Sequence, residues 1–275
     1  MKPTLAELDL RRAFSLDEAL QIMRSDPRRP MAGATDIGVA LNFGTTTVRR
    51  FLDIQPLAEL RAIRVEQDTL VIGALATYRA ILQSPDVISR LPMLVQAAGQ
   101  IGGVQIQNRG TLAGNVANAS PAGDSLPVLV AANASVVLRS IDSERRVALT
   151  QFYTGYRATV AREDELIVAI EVPRVPGVQW FRKVGTRAAQ AISKIVMAGV
   201  RDRERDVVRI AVGSVAPTVV RAVRTEGALA IGASIDEAAV VLDGEIAPID
   251  DIRSTAVYRR RVTGNLLRRF WVDTA

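Results

Sequence analysis

Apolar and polar positions in the first quarter of the chain alternate between helical and extended spacing. The sequence Ser-Leu-Asp-Glu at Ser15–Glu18 is a capping box and predicts a helix that ends near Ser25, before Pro27. Runs rich in β-branched and large apolar residues predict extended segments after it. These segments are a short strand at 30–32, a strand at 48–54, and a hairpin of 61–65 and 69–73 that turns at 66–68.

The middle of the chain is interrupted by a stretch of small residues. Thr77 is placed to cap a short helix, and a second helix is predicted at 91–101. Residues 102–127 carry five glycines, three asparagines and two prolines, so we predict a long irregular loop there, outside the regular core. Apolar spacing returns at 128–132 and 136–139, and 166–172 reads as a buried strand that ends at Pro173.

The pattern changes again beyond Pro173. Three apolar runs, at 178–184, 193–200 and 207–214, predict antiparallel strands, and helices are expected at 218–231, 234–243 and 254–271. The second of these helices opens with another capping box. In the last helix a stripe with i+4 spacing is formed by Tyr258, Val262, Leu266 and Phe270. Strands followed by helices predict a separate α+β layer, with a boundary near 173–177.

Two small-residue loops are the candidates for chemistry. Ala32–Asp36 lies between a short strand and a helix expected to begin at Asp36, and its small side chains let a ligand approach the backbone. Gly110–Asn115 adds turns, a hydroxyl and an amide, and the Ser-Pro-Ala-Gly-Asp turn behind it ends in the carboxylate of Asp124. Together the loops suit a ligand with a pyrophosphate and a polyol chain. Neither is a dinucleotide-binding G-x-G-x-x-G nor a P-loop, and packing turns remain the alternative for each.

Composition excludes several classes of enzyme. The chain has no cysteine and no histidine, which excludes disulfides, thiolate-bound zinc or iron–sulfur clusters, and a Ser-His-Asp hydrolase. We predict no metal site and no catalytic acid or base, so a bound cofactor would supply the chemistry. The net charge of +6 accompanies only 4% aromatic residues, which disfavours nucleic acid as a partner. Because no signal-peptide-like segment and no long apolar run occurs, we expect a cytoplasmic protein without a membrane span.

Several segments resemble one known family, in the right order and over nearly the whole chain. Residues 32–36 resemble its AGGTD loop, and 105–115 resemble its QIRNxGTxGGN segment. Further similarity lies at 120–127 (SPxxDxxP), at 181–187 (KxxxR) and at 250–260 (DDxRxSxxYR). The family is the FAD-binding medium subunit of molybdenum hydroxylases, which includes xanthine dehydrogenase and carbon monoxide dehydrogenase.

The resemblance implies an α+β fold with a two-part FAD-binding domain of the vanillyl-alcohol-oxidase type. That domain would cover 1–174, with subdomains of about 1–54 and 55–174, and a C-terminal α+β domain with a three-stranded antiparallel sheet and helices would cover 175–275. It also implies extended FAD, with its pyrophosphate on both loops, Asp124 on a cofactor hydroxyl, Ile101 and Ile167 near the flavin, and Lys183 close to FAD. The implied cofactor-binding residues are Met31, Ala32, Gly33, Ala34, Thr35, Asp36, Ile101, Gly110, Thr111, Ala113, Gly114, Asn115, Asp124, Ile167 and Lys183.

Two positions depart from the family pattern, because its middle glycine is Ala34 in the first loop and Ala113 in the second. An added methyl is harmless at negative φ and strained at positive φ. We expect position 34 to tolerate it and Ala113 to limit the approach of the pyrophosphate.

The partners that the resemblance implies are a molybdopterin-binding large subunit, an iron–sulfur small subunit, and NAD, a quinone or oxygen as acceptor. The alternatives are a scaffold that has lost FAD through Ala113 and a stand-alone flavin reductase, which the C-terminal half of the sequence disfavours.

Overall fold

The computed structural model describes residues 8–188 and 190–275 and begins with a small parallel sheet. Its strands have the order β1-β3-β2, and two helices form the crossovers. The elements are β1 (Asp9–Arg12), α1 (Leu16–Ser25), β2 (Arg29–Met31), α2 (Thr35–Phe43) and β3 (Arg50–Asp53). Leu20 and Met23 of α1 pack in one core with Leu52 of β3. The sheet therefore presents the carboxyl end of β2, and the first small-residue loop after it, at one edge.

The predictions for this part are largely right about the type of element and less so about its limits. Ser15 caps α1 as predicted, whereas the Glu18 carboxylate accepts the amide of Phe14 instead of that of Ser15. The predicted strand at 48–54 is shorter, and β1 was not predicted. All four residues of β1 are exposed, so its sequence carries no alternation of buried and exposed positions.

A five-stranded antiparallel sheet forms the second part, with the order β4-β5-β10-β6-β7. Its strands are β4 (Ile63–Glu66), β5 (Thr69–Gly73), β6 (Ser135–Arg139), β7 (Glu144–Ala148) and β10 (Leu166–Val172). The predicted hairpin is present, and Gln67 adopts a positive φ of 54° in its turn. Strand β10 has a register shift against β6 between Ile167 and Ala169, which is a bulge beside a predicted site residue.

Short elements connect β5 to β6 and β7 to β10. They are α3 (Tyr78–Gln83), α4 (Pro85–Arg90), α5 (Pro92–Gly99), α6 (Val104–Gln107), α7 (Leu112–Asn118), α8 (Ser125–Ala131), α9 (Leu149–Phe152), β8 (Tyr153–Gly155) and β9 (Ala158–Thr159). Thr77 caps α3 as predicted, and α5 matches the helix expected at 91–101. A single 3-10 turn at Ala58–Arg61 precedes β4.

The prediction of an irregular loop at 102–127 is wrong. Helices α6 and α7 and the start of α8 occupy it, and Leu112, Val116 and Leu126 are buried in the core. Alanine and glycine let these short helices pack closely, and Thr111 caps α7 by accepting the amide of Gly114. Small size here serves packing as well as ligand access.

The third part is an antiparallel sheet covered by helices. Its four strands are β11 (Val178–Val184), β12 (Ile195–Asp202), β13 (Val207–Gly213) and β14 (Val220–Arg221), followed by α10 (Val223–Ala230), α11 (Ile235–Asp243) and α12 (Ala256–Asp273). The predicted three-stranded sheet thus gains a fourth, two-residue strand, and the helix expected from 218 begins only at Val223. The capping box of α11 is present as predicted.

Helix α12 does not bury the predicted stripe as a whole. Phe270 is fully buried, but Tyr258 is 39% exposed, and Arg259 and Thr263 lie in the interior instead. The Arg259 guanidinium is stabilised there by the Asp251 carboxylate and the Ser214 carbonyl. The other face of the sheet packs on α5 and α8, so one continuous core joins the second and third parts. Within the described ranges, no helix combines the length and the apolar character that a bilayer crossing needs.

Candidate functional site

A cleft of about 660 Å³ lies where the parallel sheet meets the five-stranded sheet. Small-molecule sites of this kind have volumes of roughly 300–1,000 Å³. Twelve of the fifteen predicted residues line it: Ala32, Gly33, Ala34, Thr35, Asp36, Ile101, Gly110, Thr111, Ala113, Gly114, Asn115 and Ile167. Met31, Asp124 and Lys183 are not among the lining residues. The fold thus brings together both loops and the two isoleucines from distant parts of the chain.

The two loops touch each other at Gly33. A Cβ atom placed on Gly33 would lie 1.9 Å from the carbonyl oxygen of Arg109, which no arrangement of these atoms allows. The first loop is also tied to the end of β3, because Gln55 Nε2 donates to the Ala32 carbonyl at 2.7 Å. The backbones of both loops therefore form one continuous wall, which only glycine at position 33 permits.

The second loop is held from behind by α3. The backbone amide of Tyr78 donates to the Gly110 carbonyl at 3.0 Å, and Thr77 and Thr111 form an isolated β-bridge. The Thr111 hydroxyl accepts the Gly114 amide at 3.0 Å, so it caps α7. The hydroxyl that the sequence offered as a ligand is thus engaged in the helix cap.

The outcome at the two alanines reverses the expectation. Ala113 lies inside α7 with ordinary helical backbone, is 5% exposed, and packs with Val137 and Leu166. Ala34 instead adopts φ 58° and ψ 11°, the left-handed region, at the N-cap of α2. The left-handed backbone therefore lies at Ala34, where we expected tolerance, and not at Ala113, whose effect on the approach of the pyrophosphate stays a prediction.

Asp124 and Lys183 form a buried ion pair away from the cleft lining. Lys183 Nζ donates to Asp124 Oδ2 at 2.6 Å and to the Gln100 carbonyl at 3.0 Å, and the Ser193 hydroxyl donates to Asp124 Oδ1. Both charged side chains are less than 10% exposed. Burial raises the pKa of the Asp124 carboxyl, against the lowering effect of the Lys183 ammonium. The pair joins α8 to the C-terminal sheet, and its contact with a cofactor stays a prediction.

Sequence reasoning missed Tyr78 and, apart from Asp36, the charged rim of the cleft. Five arginines and three acidic residues line the cleft: Arg28, Arg29, Arg49, Arg50, Arg162, Asp36, Glu163 and Glu165. Arg28, Arg50 and Arg162 are paired with carboxylates, whereas Arg29 and Arg49 form no ion pair within the described residues and suit an anionic ligand. Desolvation raises the pKa of the Asp36 carboxyl, opposed by Arg157 and Arg29. Tyr78 directly follows the helix cap Thr77. A cap predicts where a helix begins but not which residues the next side chain contacts.

The hydroxyl of Tyr78 is a buried polar atom without a partner of hydrogen-bonding geometry in the described residues. Burial raises the pKa of this phenol, so it remains protonated and acts as a donor. Glu165, at another side of the cleft, is engaged by Arg145 through two hydrogen bonds, and this pairing lowers the pKa of its carboxyl. The cleft therefore combines a fixed ionic wall with an unsatisfied phenol behind the second loop.

Family models cover most of the chain. Residues 6–175 match the model of the FAD binding domain in molybdopterin dehydrogenase. Residues 180–274 match the model of the CO dehydrogenase flavoprotein C-terminal domain. The first of these matches contains both loops and the whole cleft lining.

Individual proteins agree with this assignment. The chain is similar to the glyceraldehyde dehydrogenase medium chain of Sulfolobus acidocaldarius, with 32% identity over 96% of this chain and 97% of the relative. It is 33% identical to the carbon monoxide dehydrogenase medium chain of Hydrogenophaga pseudoflava over 79% of each chain. A solved structure of carbon monoxide dehydrogenase from that organism superposes with a TM-score of 0.90 and 28% identity, covering all of both chains. The chain therefore belongs to the FAD-binding medium-subunit family of the molybdenum hydroxylases and is an FAD-dependent oxidoreductase subunit.

Proposed function

We propose that this chain is the electron-transfer subunit of a molybdopterin-dependent hydroxylase or dehydrogenase. It would take electrons from an iron–sulfur small subunit and pass them to an external acceptor, which is NAD, a quinone or oxygen. Substrate hydroxylation would take place on a molybdopterin-binding large subunit. Relatives named as medium chains of dehydrogenases support this division of work.

The observation that carries the proposal is the joined backbone wall of the two loops. The contact of Gly33 with the Arg109 carbonyl leaves no side chain between the loops, so a pyrophosphate can reach the backbone of both. Within the described residues the amides that open α2 have no acceptor, and Arg29 and Arg49 of the rim, which form no ion pair there, supply positive charge. The residues present therefore fit an extended dinucleotide.

The remaining cleft residues orient the cofactor. Ile101 and Ile167 offer apolar surface in the cleft, and Met31, Asp124 and Lys183, which lie outside its lining, complete the proposed set. FAD, when bound, accepts electrons one at a time and releases them as a pair, which joins one-electron centres to a two-electron acceptor. We propose that the chain's own residues bind and orient the cofactor and that none of them acts as a catalytic acid or base.

We also propose that the FAD-binding part, residues 1–174, is of the vanillyl-alcohol-oxidase type, and that 175–275 form the C-terminal flavoprotein domain. A small parallel sheet beside a larger antiparallel sheet, with the cleft between them, supports that assignment. The alternative of a scaffold that has lost FAD rested on strain at Ala113, and the helical backbone of Ala113 removes that reason. A stand-alone reductase is disfavoured by the C-terminal match.

Gly33→Ala tests the site directly. The added methyl must push the loops apart, which should weaken FAD binding about ten- to hundredfold, by analogy with overpacked cores that lose about 1–3 kcal/mol. Bound FAD is measured from the visible spectrum and from the supernatant of denatured protein. Gly38→Ala, on the open side of α2 where a Cβ atom meets nothing within 4 Å, is the matched control.

Wild-type protein that is colourless and does not take up added FAD would contradict the proposal. Equal FAD content in Gly33→Ala and Gly38→Ala would contradict the proposed role of the joined loops, but not the binding of FAD by the protein. Co-purification of molybdenum and iron–sulfur subunits tests the proposed assembly.

A further inference from the structure

Asn115 lines the cleft at the first turn of α7, and one end of its side-chain amide is already occupied. The Ser125 hydroxyl donates to Asn115 Oδ1 at 2.7 Å, and Ser125 is fully buried, so water does not compete for this bond. A side-chain amide has an oxygen that only accepts and a nitrogen that only donates. Within the described stretches Nδ2 makes no hydrogen bond, so it is the free donor of a cleft-lining side chain.

The surroundings of Ser125 favour this orientation of the amide over the reverse. The unpartnered hydroxyl of Tyr78 lies beside Ser125 and needs an acceptor. When Ser125 donates to Asn115, its oxygen lone pairs remain available to the phenol. With the amide reversed, the Ser125 oxygen could still accept from both Nδ2 and the phenol, but the Ser125 proton would lose the acceptor that Oδ1 provides.

Space is also reserved for the amide oxygen. A Cβ atom on Gly123 would lie 3.1 Å from Asn115 Oδ1 and 3.0 Å from Leu126, so a larger residue there would press on the oxygen. Gly123 thus leaves room for the same oxygen atom that the Ser125 hydroxyl bonds.

We propose that Ser125 is a positioning residue for FAD, which holds Oδ1 of Asn115 and thereby presents Nδ2 as a donor to the phosphate oxygens of the dinucleotide. This inference rests on the proposed function of the cleft. Phosphate oxygens accept hydrogen bonds only, so the orientation of the amide decides whether Asn115 attracts or repels them. Tyr78 supports the arrangement from behind.

The test is a double-mutant cycle on FAD-depleted full-length protein, with the dissociation constant of FAD measured by fluorescence titration. Asn115→Ala should weaken binding about tenfold or more, since hydrogen bonds to charged groups are among the stronger ones. Ser125→Ala should weaken it several-fold, and the double variant should bind FAD no more weakly than Asn115→Ala. Ser140→Ala is the matched control, because it removes a buried hydroxyl that bonds only within the β6–β7 turn.

Asn115→Asp covers the case in which Ser125→Ala does not fold. The carboxylate keeps the acceptor that Ser125 needs but has no donor, so we expect FAD binding at least as weak as in Asn115→Ala. Unchanged affinity in Asn115→Asp overturns the inference. The inference is also overturned if Ser125→Ala binds FAD as tightly as Ser140→Ala does. A further loss of FAD affinity when Ser125→Ala is added to Asn115→Ala would overturn it as well. Wild-type protein that binds no FAD would instead refute the proposed function.

Discussion

Ala34 and Ala113 occupy matching places in two similar loops, yet their backbone conformations differ. Ala34 stands at the N-cap of α2 with φ 58°, where a side chain is strained. Ala113 lies in α7, where alanine is the most favourable residue. Similar motif residues therefore do not imply the same backbone dihedral angles. Alanine in place of glycine costs backbone strain in the first loop and none in the second.

The largest effect should come from enlarging Ala113. Ala113 is 5% exposed and packed, so Ala113→Leu should lower the free energy of unfolding by about 1–3 kcal/mol through overpacking. Ala117→Leu, on the exposed side of the same helix, is the control and should change it little. Urea unfolding without cofactor measures both, and equal losses would mean that Ala113 is not confined.

Ala113→Gly should come next. Ala113 is the second residue of α7, and glycine there is less favourable than alanine and also removes a buried methyl group, so the free energy of unfolding should fall by about 0.5–1 kcal/mol. The same urea titration provides the value. A gain in stability would show that residue 113 needs the left-handed region after all.

The smallest effect has the opposite sign. Ala34→Gly relieves the strain of a left-handed alanine, about 1–2 kcal/mol, and increases the entropy of the unfolded chain by about 0.4–1 kcal/mol, so a net gain of about 0.5 kcal/mol is expected. Ala40→Gly, inside α2, should destabilise and is the control. If Ala34→Gly lowers the free energy of unfolding as Ala40→Gly does, then Ala34 is not strained and the two loops do not differ in this respect.

The features that sequence patterns could predict are those with local causes. The strands β5 and β10 are apolar and bounded by turn residues, and the caps Ser15, Thr77 and Ser234 mark helix starts. The stretch at 102–127 was misjudged because small residues signal both loops and close-packed helices. Its apolar pair Leu112 and Val116, one helical turn apart behind the cap Thr111, was the available signal for α7.

The site was predictable where a motif supplied it and not where contacts link distant segments. Motif similarity brought both loops and two isoleucines to the cleft. The hold of Ser125 on Asn115 depends on side-chain directions that follow only from the packing of α7 against α8. The ion pair between Asp124 and Lys183 depends on where the C-terminal sheet packs against α8. No periodicity or spacing encodes either contact.

The ion pair of Asp124 with Lys183 also limits how the protein can be divided. Its two members come from the two segments that match separate family models. Separating the segments would take Lys183 and Ser193 away from the Asp124 carboxylate. Replacing only one of the two charged residues in the intact chain would leave the other buried and unpaired, which costs about 3–5 kcal/mol. A chimera between relatives therefore has to carry Asp124 and Lys183 together.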